Sequence, residues 1–306
     1  MPESIELTLA HSPDPDDAFM WWPLVGLGES GPRIDTAGFK FELIMDDIES
    51  LNQNAESRRY DVTAVSVAHY PRIRSDYIFT ACGASIGDGY GPKLIAPSGT
   101  ALDSIRTRKP VIAVPGERTT ALACARLMLR PTMRWEAMPF DQIEDAVESG
   151  AYEAGVVIHE GQLTCETRGF VILADLGAWW RDTRHLILPL GGNVAARDLE
   201  KRVGPGTLAR LSGVLRASVA YAMANRAESL AWALKFGRGI NAAQADQFVE
   251  MYVNSWTLDF GDDGQMAVQR FLDEAHHARL VPSPGMVDFA RPETAGESEV
   301  DCGATV

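Results

Sequence analysis

The chain has 306 residues, 46% of them hydrophobic and 23% charged, and a formal net charge of −14 at pH 7. These fractions are typical of globular proteins, and the length suffices for one or two cores that fold without a disulfide or a metal. An acidic surface of this size repels phosphate backbones, which excludes general nucleic-acid binding.

Cysteine spacing and the lack of long apolar runs indicate the cellular compartment of the protein. The four cysteines, Cys82, Cys124, Cys165 and Cys302, have no spacing suited to zinc, so we expect free thiols. The first residues show neither the basic nor the apolar segment of a secretory signal, and no apolar run approaches the roughly 20 residues that span a bilayer. We therefore expect a cytoplasmic protein without a membrane partner.

Short apolar runs alternate with helical patterns through the first two thirds of the chain. Asp14 and Pro15 predict a helix start, because Asp is a good N-cap and proline is favoured at the first helical position. Gly150 predicts a helix end. Strands are expected at 5–10, 39–45, 62–67, 111–114, 155–158 and 170–173, and helices at 48–59, 119–129 and 141–149.

The pattern changes after residues 188–192, where the strand signal stops. Helices are expected at 205–224, 226–236, 242–254 and 262–277, and a loose tail after Pro282. This order predicts an α/β protein with two lobes. Residues 1–95 and 188–306 would form one discontinuous domain with C-terminal helices, and residues 96–187 an inserted α/β domain. The cleft between two such lobes is a favoured place for a small ligand.

His159 is the candidate for chemistry. It follows the apolar strand at 155–158, and ligands of open α/β sheets gather at the carboxyl ends of strands. Histidine titrates near neutral pH, so it can act there as a general base. A structural histidine that hydrogen-bonds the strand end is the alternative interpretation.

Hydroxyls near two other strand ends are candidate ligand contacts. Thr119 and Thr120 lie at a strand-to-helix turn, where hydroxyls and free amides can bind an anion, although ordinary N-capping by threonine explains the pattern as well. Ser66, near the end of the third strand, has the same two interpretations. Asp14, Asp16 and Asp17 do not have the spacing of a magnesium site, and their favourable interaction with a helix dipole is a sufficient explanation.

Nine short segments together resemble the 1,4-dihydroxy-6-naphthoate synthases of the futalosine route to menaquinone. SPDPDDAF at 12–19 resembles the family's SPCPNDTF, and DIESLN at 47–52 its DVETLN. The other segments follow in family order: 63–66, 114–121, 158–160, 175–180, 188–191, 252–254 and 258–259.

The resemblance implies a two-lobed, type 2 periplasmic-binding-protein-like fold that works as an enzyme. The family converts cyclic dehypoxanthine futalosine into 1,4-dihydroxy-6-naphthoate and dihydroxyacetone, and the resemblance implies no metal or organic cofactor. The family's base falls on His159. Its substrate contacts fall on Ala64, Val65, Ser66, Thr119, Thr120 and Ala121. We also expect Asp16 and Asp17, in the opening motif, to contact the substrate, although the sequence leaves open whether Asp14 and Asp16 point into the cleft or only cap their helix. Ser66 and Thr120 would then hold the substrate's carboxylate.

Several positions depart from the family pattern. Asp14, Asp16 and Ala18 replace cysteine, asparagine and threonine, Ala64 replaces a lysine, and RHLI at 184–187 replaces TGLP. Together these changes make the cleft more negative by about three charges if every group is ionised. A carboxylate substrate would then bind less well unless amides and hydroxyls hold it.

Two other functions remain open at this point. The chain could be a binding protein of the same fold for a small aromatic carboxylate, without catalysis. It could also be a related dehydratase that acts on chorismate. The sequence leaves the oligomeric state open.

Overall fold

Two mixed β-sheets organise the chain in the computed structural model, which describes residues 4–129, 132–236 and 240–292. The strands are β1 Ile5–His11, β2 Phe39–Met45, β3 Val62–Ser66, β4 Tyr77–Thr80, β5 Ser85–Gly87, β6 Lys93–Pro97, β7 Val111–Val114, β8 Arg134–Ala137, β9 Ala154–Val157, β10 Phe170–Asp175, β11 Leu188–Ala196 and β12 Phe289–Ala290.

The helices cover both sheets. They are α1 Pro15–Trp21, α2 Ile48–Glu56, α3 Tyr70–Ile73, α4 Leu102–Arg108, α5 Thr120–Leu129, α6 Ile143–Glu148, α7 Leu176–Arg184, α8 Leu199–Arg202, α9 Thr207–Ala224, α10 Arg226–Ala233, α11 Ala242–Tyr252, α12 Ser255–Leu258 and α13 Gly261–His277. Within the described ranges, no helix is both long and apolar enough to cross a bilayer.

The first sheet has the strand order β12-β4-β11-β3-β1-β2, and β5 also pairs with β11. Strands β1 and β3 are parallel, whereas β11 runs antiparallel to β3. All five residues of β3 are buried, as expected of a strand covered on both faces. The carboxyl end of β3 therefore opens onto the space between the sheets.

The second sheet has the order β10-β6-β9-β7-β8. We propose that the two sheets correspond to the two expected domains. The chain would pass from one domain to the other at two crossings, the first of which lies just before Lys93. The reason is that β6 pairs only with β9 and β10 in the described structure, so it belongs wholly to the second sheet. The second crossing, at 187/188, falls between α7 and β11.

The sequence pattern located most elements, and those that it did not predict include β4, β5, β6 and β8. The expected bounds of β2 and β7 match those observed, and Gly150 ends its helix with φ +77°. The prediction that strand structure stops at 192 is wrong, because β11 continues to Ala196 by pairing with β3 and β4. The prediction of a loose tail after Pro282 is wrong in part, because β12 pairs with β4. Helix α7 was not predicted.

Three of the four cysteines, Cys82, Cys124 and Cys165, are free and buried, as expected. Cys302 and the end of the expected tail lie outside the described residues.

The start of α7 packs closely against the backbone of the segment just before the first crossing between the domains. Asp175 caps α7 by accepting hydrogen bonds from the amides of Gly177 and Ala178 at 2.9 and 3.0 Å. A Cβ atom on Gly177 would overlap the carbonyl oxygen of Tyr90. Only glycine lets α7 begin this close to the crossing segment.

We expect Gly177→Ala to lower the free energy of unfolding by about 1–3 kcal/mol, because the added methyl group meets rigid backbone. Gly213→Ala is the matched control: it lies inside α9, its nearest neighbour would be 4.0 Å away, and we expect about 0.5–1 kcal/mol of stabilisation. Urea unfolding of both variants measures the difference. Equal effects of the two substitutions would contradict this account.

Candidate active site between the two sheets

A cavity of about 730 Å³, counted with its opening to solvent, lies between the sheets. A cavity between two lobes is a favoured place for a small ligand. Its wall combines the end of β3, the start of α5 and the first turn of α1. All eight predicted contact residues line it: Asp16, Asp17, Ala64, Val65, Ser66, Thr119, Thr120 and Ala121.

Asn52 orients Ser66 at the end of β3. The amide of Ser66 donates to Oδ1 of Asn52 at 2.9 Å, and Nδ2 of Asn52 donates to Oγ of Ser66 at 3.0 Å. Asn52 is fully buried on α2. Because the Ser66 oxygen accepts from Asn52, its own hydrogen is left to donate to a ligand.

Thr119 caps α5, as the alternative interpretation of this turn expected. Its hydroxyl donates to the carbonyl of Gly116 at 3.0 Å and accepts from the amide of Leu122 at 3.2 Å. The backbone amides of the first helical turn have no acceptor within the helix, so those of Thr120 and Ala121 can bind an anion.

The hydroxyl of Thr120 joins the two sheets instead of facing a ligand. It donates to the carbonyl of Leu190 at 2.6 Å and accepts from the amide of Ala68 at 3.0 Å. Its single hydrogen is therefore used. In this arrangement an anion contact at Thr120 would come from its backbone amide, and the expected role of Thr120 in holding a carboxylate stays a prediction.

Arg118 makes a second connection between the two lobes. Its side chain reaches from the turn before α5 to α2, with Nη1 3.0 Å from Oε1 of Glu49 and Nε 2.9 Å from Oε1 of Glu56. The Arg118 amide also donates to Oε2 of Glu49 at 3.0 Å. These contacts hold the two lobes together beside Thr119.

Asp16 and Asp17 face the cavity, so the helix-dipole explanation is insufficient for them. Both are fully or nearly fully buried, where a first-turn dipole interaction of about 0.3–1 kcal/mol is small beside the cost of burying a charge. Asp17 accepts a hydrogen bond from the amide of Ser12 at 2.9 Å, and Asp16 one from the hydroxyl of Ser85 at 3.1 Å. Asp14 also lines the wall.

Burial raises the pKa of Asp16 well above its usual value, and the charges of Asp17 and Asp14 raise it further. Burial also raises the pKa of Asp17, although His11 and the hydrogen bonds of Ser12 oppose the shift. The described side chains contain no group of three or more His, Cys, Asp or Glu arranged to hold a metal ion.

His159 lies next to the wall but is not part of it; its neighbour Ile158 is. The imidazole caps the short turn at 160–163, where Nδ1 accepts the amide hydrogen of Gly161 at 2.9 Å. Nε2 faces Oε2 of Glu144 at 3.7 Å. The structure thus brings together the eight contact residues, whereas His159 follows the wall residue Ile158 without lining the cavity itself.

Several wall residues were not named from the sequence as substrate contacts, although Ser12, Leu190 and Tyr252 lie in segments that resemble the family. Those not named include Ser12, Ser85, Leu190, Asn193, Phe248 and Tyr252. Asn193 lies within β11, beyond the point where the strand signal ended, and Tyr252 closes α11. A search for polar residues inside otherwise buried strands would have found Asn193.

Two α/β lobes around a ligand-sized cavity define a protein of the periplasmic-binding-protein-like class. The ligand-binding component of an ABC-type import system from Staphylococcus aureus has this fold, with a TM-score of 0.69, 15% identity, and coverage of 94% of this chain and 97% of that one. At this identity the likeness concerns the fold alone.

The chain belongs to the family described as menaquinone biosynthesis, whose model matches residues 7–277. It is 35% identical over 280 residues to the 1,4-dihydroxy-6-naphthoate synthase of Thermus thermophilus, covering 91% of this chain and 97% of that protein. The crystal structure of protein AF1704 from Archaeoglobus fulgidus is similar at a TM-score of 0.79 and 36% identity, covering 90% of this chain and 97% of that one.

We expect Arg118→Ala to shift the two lobes toward an open arrangement, because it removes ion pairs that join them. Partly exposed pairs of this kind contribute up to about 1 kcal/mol each. Small-angle X-ray scattering should then give a larger radius of gyration. Arg58→Ala is the control, since it also breaks an arginine ion pair, with Asp76, but one between residues of the first sheet's segment. Identical scattering from Arg118→Ala and the parent would show that the Arg118 ion pairs do not hold the two lobes together.

Proposed function

We propose that this protein is an enzyme of menaquinone biosynthesis that forms 1,4-dihydroxy-6-naphthoate from cyclic dehypoxanthine futalosine, with carbon–carbon cleavage. The observation that carries the proposal is the single cavity lined by all eight family contact positions, in a chain 35% identical to a naphthoate synthase over 91% of its length. Family membership does not favour a non-catalytic binding protein. The relative's name favours naphthoate synthesis over chorismate dehydration. As a biosynthetic enzyme it would work in the cytoplasm.

The cavity chemistry supports a way to hold the substrate without a cation. No lysine, arginine or histidine is among the described residues of the wall. In their place, the free hydrogen of Ser66 and the first-turn amides of Thr120 and Ala121 would donate to the substrate's carboxylate. Each hydrogen bond to a charged group contributes about 1.5–3 kcal/mol, so a few of them can replace the lysine absent at Ala64.

His159 would be the general base that removes a proton from the bound substrate. Ring opening and carbon–carbon cleavage would follow, and formation of the aromatic ring would drive the reaction. In the neutral ring, Nδ1 is the basic atom, because it accepts the amide hydrogen of Gly161. The proposal therefore requires the imidazole to leave Gly161 when substrate binds.

Substrate turnover tests this role. We expect His159→Gln and His159→Ala to lower kcat by about 10²–10⁴, the usual contribution of a general base, with circular dichroism unchanged. His276→Ala is the control, since His276 is exposed on α13. Naphthoate formation by the parent, followed by liquid chromatography, establishes the activity. If the parent is active and His159→Ala keeps turnover within threefold, another residue is the base.

Ser66→Ala should raise KM by about tenfold or more, because it removes one donor to the substrate's carboxylate. Ser218→Ala is a matched control: its buried hydroxyl donates to the carbonyl of Met20 at 2.7 Å, outside the cavity wall. We expect that control to lose stability while its KM stays unchanged. Equal KM values for parent and Ser66→Ala would remove Ser66 from the substrate site.

Parallel incubations separate the alternative functions. Release of naphthoate from the futalosine derivative supports the proposal. Conversion of chorismate instead would indicate the dehydratase. If a folded protein converts neither compound but binds an aromatic carboxylate in calorimetry, the binding-protein function replaces the enzymatic one.

A further inference from the structure

Asp16 is a buried carboxyl group on the cavity wall whose charge would be difficult to stabilise. Its side chain is 6% exposed. The neutral hydroxyl of Ser85 on β5 donates a hydrogen bond to Oδ2 of Asp16 at 3.1 Å. An isolated carboxylate in such surroundings takes up a proton rather than remain charged.

Among the described residues of the elements packed against α1, none supplies a cation to Asp16. On α1 and its N-cap, Asp17 and Asp14 carry like charge, and on α11 the buried phenol of Tyr252 is neutral. His11 on β1 interacts with Asp17, and burial lowers the pKa of its imidazole. The described cations on α9, on α10 and just after it have other partners: Arg210 lies over Phe39, Arg216 near Asp259, and Lys235 over Trp232. Arg226 pairs with Asp246 and lies over the ring of Phe19 on α1, with no hydrogen bond or ion pair to Asp16. The acidic Glu228, Asp246 and Glu250 on α10 and α11 would add only negative potential.

Asp17 differs from Asp16 in its partners. A backbone amide, that of Ser12, and the neighbouring His11 both favour the charged form of Asp17. Two carboxyls side by side with unequal partners divide their roles, so that one keeps a proton and the other ionises. Asp16 is the one with the weaker partners.

Asn193 supplies an independent sign of a ligand contact in this cavity. It is 1% exposed and lines the wall from β11. Its Nδ2 donates to the carbonyl of Gly83 at 2.7 Å, which fixes the orientation of the amide. Its Oδ1 has no hydrogen-bond partner in the described structure. A buried acceptor left unpaired costs free energy unless a ligand or water donates to it.

We propose that Asp16 stays protonated at neutral pH and, together with Asn193, binds an uncharged hydroxyl group of the substrate. The carboxyl O–H donates to the hydroxyl oxygen, and the hydroxyl hydrogen is donated to Oδ1 of Asn193. The inference takes from the proposed function only that this cavity holds the substrate. It makes Asp16 a specificity residue that accepts an alcohol and repels an anion.

Infrared difference spectroscopy tests the protonation state without any substrate. The parent minus Asp16→Asn spectrum at pH 7 should contain the carbonyl band of a protonated carboxylic acid, and the band should disappear as the pH rises. A carboxylate band in its place at pH 7 would overturn the proposal. Asp17→Asn is the control that assigns the band to Asp16.

The pH dependence of protein stability is a second test of the protonation state of Asp16. A carboxyl whose pKa is raised by folding makes the folded protein progressively less stable as pH rises from the unfolded value, about 3.9. The Asp16→Asn variant has no carboxyl group at this position, so its stability does not fall with pH for this reason. The difference in unfolding midpoint between Asp16→Asn and the parent should therefore grow in favour of the variant from about pH 4 upward. A difference that does not change with pH would overturn the proposal.

Turnover kinetics test the donor role. Asparagine can still donate at this position and alanine cannot, so we expect kcat/KM of Asp16→Asn to exceed that of Asp16→Ala at least tenfold. The parent should lose kcat/KM at alkaline pH while Asp16→Asn does not. Equal losses in both variants, or the same alkaline decline in Asp16→Asn and the parent, would overturn the donor role. An inactive parent would refute the proposed function, whereas the infrared result would still decide the protonation of Asp16.

Discussion

The cavity depends on how the first turn of α5 is joined to the first sheet. The hydroxyl of Thr120 lies between the carbonyl of Leu190 and the amide of Ala68, and both of these belong to segments of the first sheet's lobe. One side chain thus positions the helix start over the end of β3. Because its hydrogen is used in this joint, the helix offers a ligand its backbone amides and not a hydroxyl.

The electrostatics of the cavity follow from that arrangement. The wall holds three aspartates and no described cation, so a carboxylate can be held only by directed hydrogen bonds. An uncharged Asp16 would remove one of the repelling charges and would give the wall another donor. The same reasoning would account for Ala64 and Asp16 at positions where the family motif that the sequence resembles has lysine and asparagine.

The sequence predicted the fold and much of the wall for identifiable reasons. Apolar runs and capping residues set the bounds of β2 and β7, and the family segments indicated Ser66, Thr119 and Thr120. Strand β11 escaped prediction because its glycines and proline weaken the pattern, and pairing with β3 and β4 stabilises it instead. Because this strand was not predicted, Asn193 was not recognised as a wall residue.

By itself, the sequence determined the alternation of strands and helices, the family and the residues that meet at the cavity, because periodicity, caps and motifs are local properties of the chain. Tertiary structure alone decided which atoms remain free for a ligand. Thr120 and Ser66 look alike as hydroxyls in the sequence, yet one donates to Leu190 and the other keeps its hydrogen. Hydrogen-bond partners and burial depend on distant segments, so the roles of Asp16, Asn193 and His159 become visible only when those segments are folded together.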